Sequence, residues 1–158
     1  MKNTWVFVTN PKKYDIYSDW EKSITETAWS VLTVRGATKD ALDSALEDRV
    51  YIWVSGEGVA ARAVITGPAG AASGGKAGWD SEAAAKLPSD LKKVPMRIER
   101  WLPRDQPITI ESLKDDDATK HLKICANGGL QATNLLQDAA DAKALDAAWD
   151  RHIASIPN

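Results

Sequence analysis

The chain has 158 residues, of which 44% are hydrophobic and 27% charged, and its net charge is −2. That composition suits one globular domain over 1–158, and it excludes both a disordered chain and a strongly basic one that would draw nucleic acid by bulk field alone. A single cysteine, Cys125, excludes an internal disulfide and fits a cytoplasmic setting, and no apolar stretch has bilayer length or the form of a signal peptide, so no membrane is expected.

Thr4 to Val8 is a short apolar run that reads as a buried strand, ended by Asn10-Pro11. From Tyr14 to Thr27, the residues Ile16, Trp20, Ile24 and Thr27 recur near helical spacing and predict a helix. Trp29 to Val34 suits a short extended segment, and Thr38 is placed to cap a helix over 39–46. Arg49 to Ser55 and Val59 to Thr66 flank Gly56-Glu57-Gly58 and predict an antiparallel hairpin. Gly67 to Gly78 is a Gly/Ala-rich loop of a length that suggests function or mobility, and Ser81 to Leu87 predicts a short helical piece stopped by Pro88. Val94, Met96, Ile98 and Arg100 alternate with Pro95, Arg97, Glu99 and Trp101, which predicts a half-buried strand. Ile108 begins a further element, Glu111 to His121 reads as short helical pieces, and Leu130 to Leu135 as extended or turn-like chain. Asp138 caps a last helix through Ile153, with Leu145, Trp149, His152 and Ile153 on one face.

Several motifs suggest catalysis and fail on context. Gly56-Glu57-Gly58-Val59-Ala60-Ala61 fits a loose dinucleotide pattern, but a strand follows where a helix N-terminus must hold the pyrophosphate. Gly70 to Lys76 fits a phosphate loop, yet Ala77 replaces the Ser or Thr that would hold magnesium. His121 and Cys125 are two ligands where zinc needs four, and Asp115-Asp116-Asp117 lacks calcium-loop spacing, so no metal and no cofactor are expected. What stands out is seven Trp against three Tyr and one Phe. Indole is an expensive core filler but stacks well on flat or cationic ligands. For any single Trp, ordinary core is the plainer reading. Trp29, Trp53 and Trp79 come from distant parts of the chain, each near a loop or strand end, and are placed to converge on one pocket.

The order of motifs resembles an EVE domain. The resemblance rests on Trp5 to Pro11 followed by Tyr14-Asp15, on Trp29-Ser30, and on Val50 to Gly56 running into Gly58 to Ala63. Val94 to Leu102, Pro107-Ile108, Leu113-Lys114 and Gly129 to Asn134 complete it across nearly the whole chain. It implies an α+β fold of the PUA-like group, a curved mixed β-barrel flanked by helices, related to YTH domains. It also implies a non-catalytic module that reads a modified base, such as methylated or hydroxymethylated cytosine, in DNA or RNA through an aromatic cage. On the matching positions the pocket comprises Trp29, Ser30, Trp53, Ser55 and Trp79, with Thr9 and Asn10 at the end of the first strand. Phosphate contacts would fall to Lys12, Lys13, Arg35, Lys92, Lys93 and Arg97, whose plainer reading is scattered solubilising charge. Partners expected on this reading are nucleic acid and a separate nuclease or other effector, with the protein itself a monomer. Two departures are visible: Glu47-Asp48-Arg49 replaces the usual Gly-Asp, and the 67–78 loop is unusually rich in Gly and Ala. The competing readings are a small-molecule or nucleotide-binding enzyme using that loop, and a protein-interaction module whose Trp residues are all core.

Overall fold

The computed structural model describes residues 3–12, 15–31, 34–35, 46–67, 70–71, 92–122 and 134–156. Its elements are β1 (Thr4–Thr9), α1 (Ile16–Glu21), β2 (Glu26–Val31), β3 (Val34–Arg35), β4 (Arg49–Val54), β5 (Gly58–Ile65), β6 (Gly70–Ala71), β7 (Lys92–Trp101), β8 (Ile108–Thr109), α2 (Ile110–Asp115), β9 (Asn134–Leu136) and α3 (Ala139–Ser155). The strands join in the order β2-β7-β5-β4-β1-β9-β3, with β6 beside β7 and β8 beside β5. The β1–β4 and β3–β9 pairs are parallel and the others antiparallel. β2 and β3 end this path on opposite sides, yet only residues 32 and 33 separate them in sequence. Three Cα–Cα steps reach at most about 11 Å, so the two edges meet and the sheet closes into a mixed barrel.

Two apolar clusters flank the barrel wall. The inner one takes Trp5 and Phe7 from β1, Val50, Ile52 and Val54 from β4, and Ile16 and Trp20 from α1. The outer one takes the alternate residues Val6, Val8, Tyr51 and Trp53 and packs them with Leu113 of α2 and Leu145, Ala148 and Trp149 of α3. β1 is therefore buried at every position, which explains why its sequence is a continuous apolar run with no alternation. The small side chains of Ala60, Ala61 and Ala63 on β5 make room inside for the indoles of Trp5 and Trp20.

The hairpin forms as expected. Gly56 and Gly58 take φ of +86° and +126° in its turn. At Gly58 a Cβ would collide with the Ile108 carbonyl oxygen, so β8 can lie against the turn only because this residue is glycine. The Glu47 departure also has a visible consequence. Glu47 holds φ of +68°, a conformation that glycine adopts without strain. Beside it the buried Asp48 carboxylate accepts from the Asn3 N–H and the Trp5 indole N–H, each at 3.0 Å, and ties β1 to β4.

Several expectations need correction or limitation. The helix predicted from Tyr14 to Thr27 stops at Glu21, because Ser23 turns left-handed (φ +51°) and the chain enters β2 at Glu26. In β7 the simple alternation fails past Ile98. Glu99 is an extra residue between the Ala63↔Ile98 and Arg62↔Arg100 pairs, so Trp101 and not Arg100 packs on the inner cluster. The helix predicted over 39–46 lies outside the described residues apart from Leu46, which is 52% exposed in a turn. The 81–87 helical piece and most of the Gly/Ala-rich loop also lie outside them. The last helix forms as read, with the Asp138 side chain accepting from the Asp141 N–H at 2.8 Å. Among the described residues, no helix is long and apolar enough to cross a membrane.

Candidate functional site

Thr9 and Ser55 meet at one end of the barrel. β1 and β4 run parallel with Thr9 opposite Val54, and the Ser55 N–H donates to the Thr9 carbonyl at 2.9 Å. Thr9 is buried, Ser55 partly so, and Asn10 is exposed just past the strand. The Asn10 side-chain oxygen accepts from the Lys12 N–H at 2.9 Å, which fixes the chain as it leaves the barrel. Lys12 and Arg97 are both exposed.

Trp29 and Ser30 lie on β2, opposite Val94 and Lys93 of β7. Followed through β7, β5 and β4, this register places Trp29 before the start of β1. On the other side of the barrel, Val34 of β3 stands opposite Asn134 and Asn134 opposite Phe7 of β1.

Trp53 is level with this end through its pairing with Val8, but it stands on the outer face. It is 4% exposed, among Val8, Val59, Leu102 and Ile108. Of the remaining residues singled out from sequence, Arg35, Lys92 and Lys93 have their backbone in β3 and β7. Trp79, Lys13 and Cys125 lie outside the described residues. Among the described residues, no three His, Cys, Asp or Glu side chains gather as metal ligands would.

The structure adds an aromatic assembly at the same end that spacing did not disclose. α1 packs against the barrel there, with Trp20 stacked on Trp101 at 6.1 Å between ring centroids. The Trp20 indole N–H donates to the Leu102 carbonyl at 2.6 Å, and that of Trp101 to the Ile24 carbonyl at 2.7 Å. Both polar handles are thus satisfied inside the protein, as buried indoles require. Arg104 lies over Tyr17 at 4.1 Å and over Trp20 at 4.8 Å, and its Nη1 bonds both oxygens of Glu57 at 2.9 and 3.2 Å. Trp20 and Trp101 fall at ordinary core positions of a helix and a strand. The bulge at Glu99 turns Trp101 onto the inner cluster, where it meets Trp20.

A second polar cluster lies on the outer wall. The Tyr51 hydroxyl and Arg49, at 3.0 Å, both engage Asp146 of α3. Burial, together with the bond to Asp146, pushes the Tyr51 phenol well above its ordinary value. At Arg49 burial pulls the other way, but the hydrogen bond and charge of Asp146 leave its pKa raised. Nearby, a shallow cavity of about 200 Å³ lies between α2 and α3, lined by Ile108, Ser112, Asp116, Arg151 and His152 among others. Asp116 and Arg151 pair across it at 2.7 Å.

The fold is a PUA-like barrel flanked by helices, and solved structures share it at low sequence identity. The human THYN1 protein, solved in complex with DNA containing 5-methylcytosine, matches with a TM-score of 0.62 and 12% identity, over 99% of this chain and 100% of that one. A hypothetical protein from Leishmania major matches with a TM-score of 0.62 and 12% identity, over 97% and 98%. A protein from Pseudomonas putida matches with 0.62 and 15%, over 91% and 97%. No family model matches the chain, and no curated protein matches it in sequence.

Proposed function

We propose that this protein is a non-catalytic module that binds a modified base in nucleic acid at the end of the barrel formed by Thr9, Asn10 and Ser55. The observation that carries the reading is the likeness, over nearly the full length of both chains, to human THYN1 solved with 5-methylcytosine DNA. The geometry supports it. Strand ends that are far apart in sequence meet at one mouth, where the exposed Asn10 and the partly exposed Ser55 can read a base edge. Trp29 and Trp79 supply the stacking faces, Ser30 and Ser55 polar contacts, and Trp53 the packed wall behind β4. Lys12, Lys13, Arg35, Lys92, Lys93 and Arg97 supply phosphate contacts, which must offset the few kcal/mol that flipping a base costs. The ligand is a cytosine carrying a methyl or hydroxymethyl group, or another modified base, in DNA or RNA. The protein works as a cytoplasmic monomer beside a separate effector such as a nuclease.

Tryptophan fluorescence tests the reading. An oligonucleotide carrying 5-methylcytosine should quench emission at lower concentration than its unmodified twin. Equal response to both, or a response to Mg-ATP in their place, would count against it.

A further inference from the structure

Arg104 lies at the mouth but belongs to no element that the sequence marks. It is tied to the candidate site through Glu57, which sits in the same β4–β5 turn as Ser55, whose N–H is bonded to Thr9. Its guanidinium rests on the rings of Tyr17 and Trp20, and its side chain keeps 40% exposure while Glu57 keeps 24%. An exposed pair of this kind adds little to fold stability. The bonds to Glu57 run through Nη1 alone, so among the described residues the Nε–Nη2 edge has no recorded partner. A planar edge with two parallel N–H groups is the geometry that grips a phosphate. The aromatic platform beneath the guanidinium holds it near the turn and reduces the ordering cost of that grip.

We propose that Arg104 is a phosphate anchor for the strand whose base enters the mouth, and that Glu57 is its intramolecular counter-ion in the free protein. The proposal rests on the nucleic-acid reading above and adds to it the residue that carries the backbone charge at the pocket's edge. Glu57 holds the guanidinium in place but also competes electrostatically with the phosphate. Removing the carboxylate should therefore strengthen binding.

The test is a salt series of anisotropy titrations, using two labelled duplexes identical but for one 5-methylcytosine. Wild type, Arg104→Ala, Arg104→Lys and Glu57→Gln are compared, with melting temperatures to confirm folding. Arg104→Ala should weaken both duplexes by the same factor and flatten the slope of log K against log salt by about 0.9. Arg104→Lys should restore most of that slope, since it keeps the charge. Glu57→Gln should tighten both duplexes. An unchanged slope in Arg104→Ala overturns the proposal, as does Glu57→Gln weakening binding as much as Arg104→Ala, which would make the pair only a clasp on the turn. Equal wild-type affinity for the two duplexes sinks the modified-base reading instead, and the slope on either duplex still decides the role of Arg104.

Discussion

Truncating an indole in a packed cluster and truncating one in a ligand cage remove different things. Trp53 belongs to the outer cluster, so Trp53→Ala should cost about 3–5 kcal/mol of stability and lower the melting temperature before it touches affinity. Trp29→Ala should instead weaken binding by about 1–3 kcal/mol, one to two decades, if its ring stacks on the base. Thermal melts and titrations on both variants check the pair. The opposite pattern would exchange their roles. Trp20 and Trp101 show why the distinction could not be drawn from sequence. Each satisfies its N–H on a backbone carbonyl supplied by a distant segment, Leu102 for Trp20 and Ile24 for Trp101. Nothing in local spacing reveals those partners.

At the scale of elements, the strands were legible because periodicity survives wherever the backbone is regular. β1, β4, β5, β7 and α3 fall where apolar patterning and the Asp138 cap place them. What was not legible depends on single backbone events. The left-handed Ser23 ends α1 early, and the extra Glu99 reverses the phase of β7. The attachment of α3 to the barrel was equally hidden, since Tyr51 and Asp146 are far apart in sequence. That attachment makes a pH prediction. The folded-state pKa of Tyr51 is raised above its ordinary 10.0, so as pH rises through 10.0 the unfolded chain loses the phenol proton while the folded chain keeps it. Stability should be unaffected by this group below pH 10.0 and should fall above it. Urea melts just below pH 10.0 and about one unit above it, on wild type and Tyr51→Phe, isolate the effect. The variant should lose less stability than wild type across that interval; an equal loss in both would remove Tyr51 from the explanation.

At the scale of the whole molecule, the barrel brings residues that are distant in sequence to one end. Thr9, Asn10 and Ser55 were named through the resemblance to EVE domains, and the parallel register of β1 and β4 sets Thr9 and Ser55 side by side. The assembly of Tyr17, Trp20, Trp101, Arg104 and Glu57 escaped the sequence because it joins α1, one turn and the chain after β7. The most direct measurement is amide chemical-shift mapping during titration with a 5-methylcytosine oligonucleotide and its unmodified twin. Shifts should concentrate at Thr9, Asn10, Trp29, Ser30 and Ser55 and appear at lower concentration for the modified strand. Shifts centred on Ile108, Ser112 and Arg151 between α2 and α3, or the same response to both strands, would contradict a modified-base pocket at the barrel mouth.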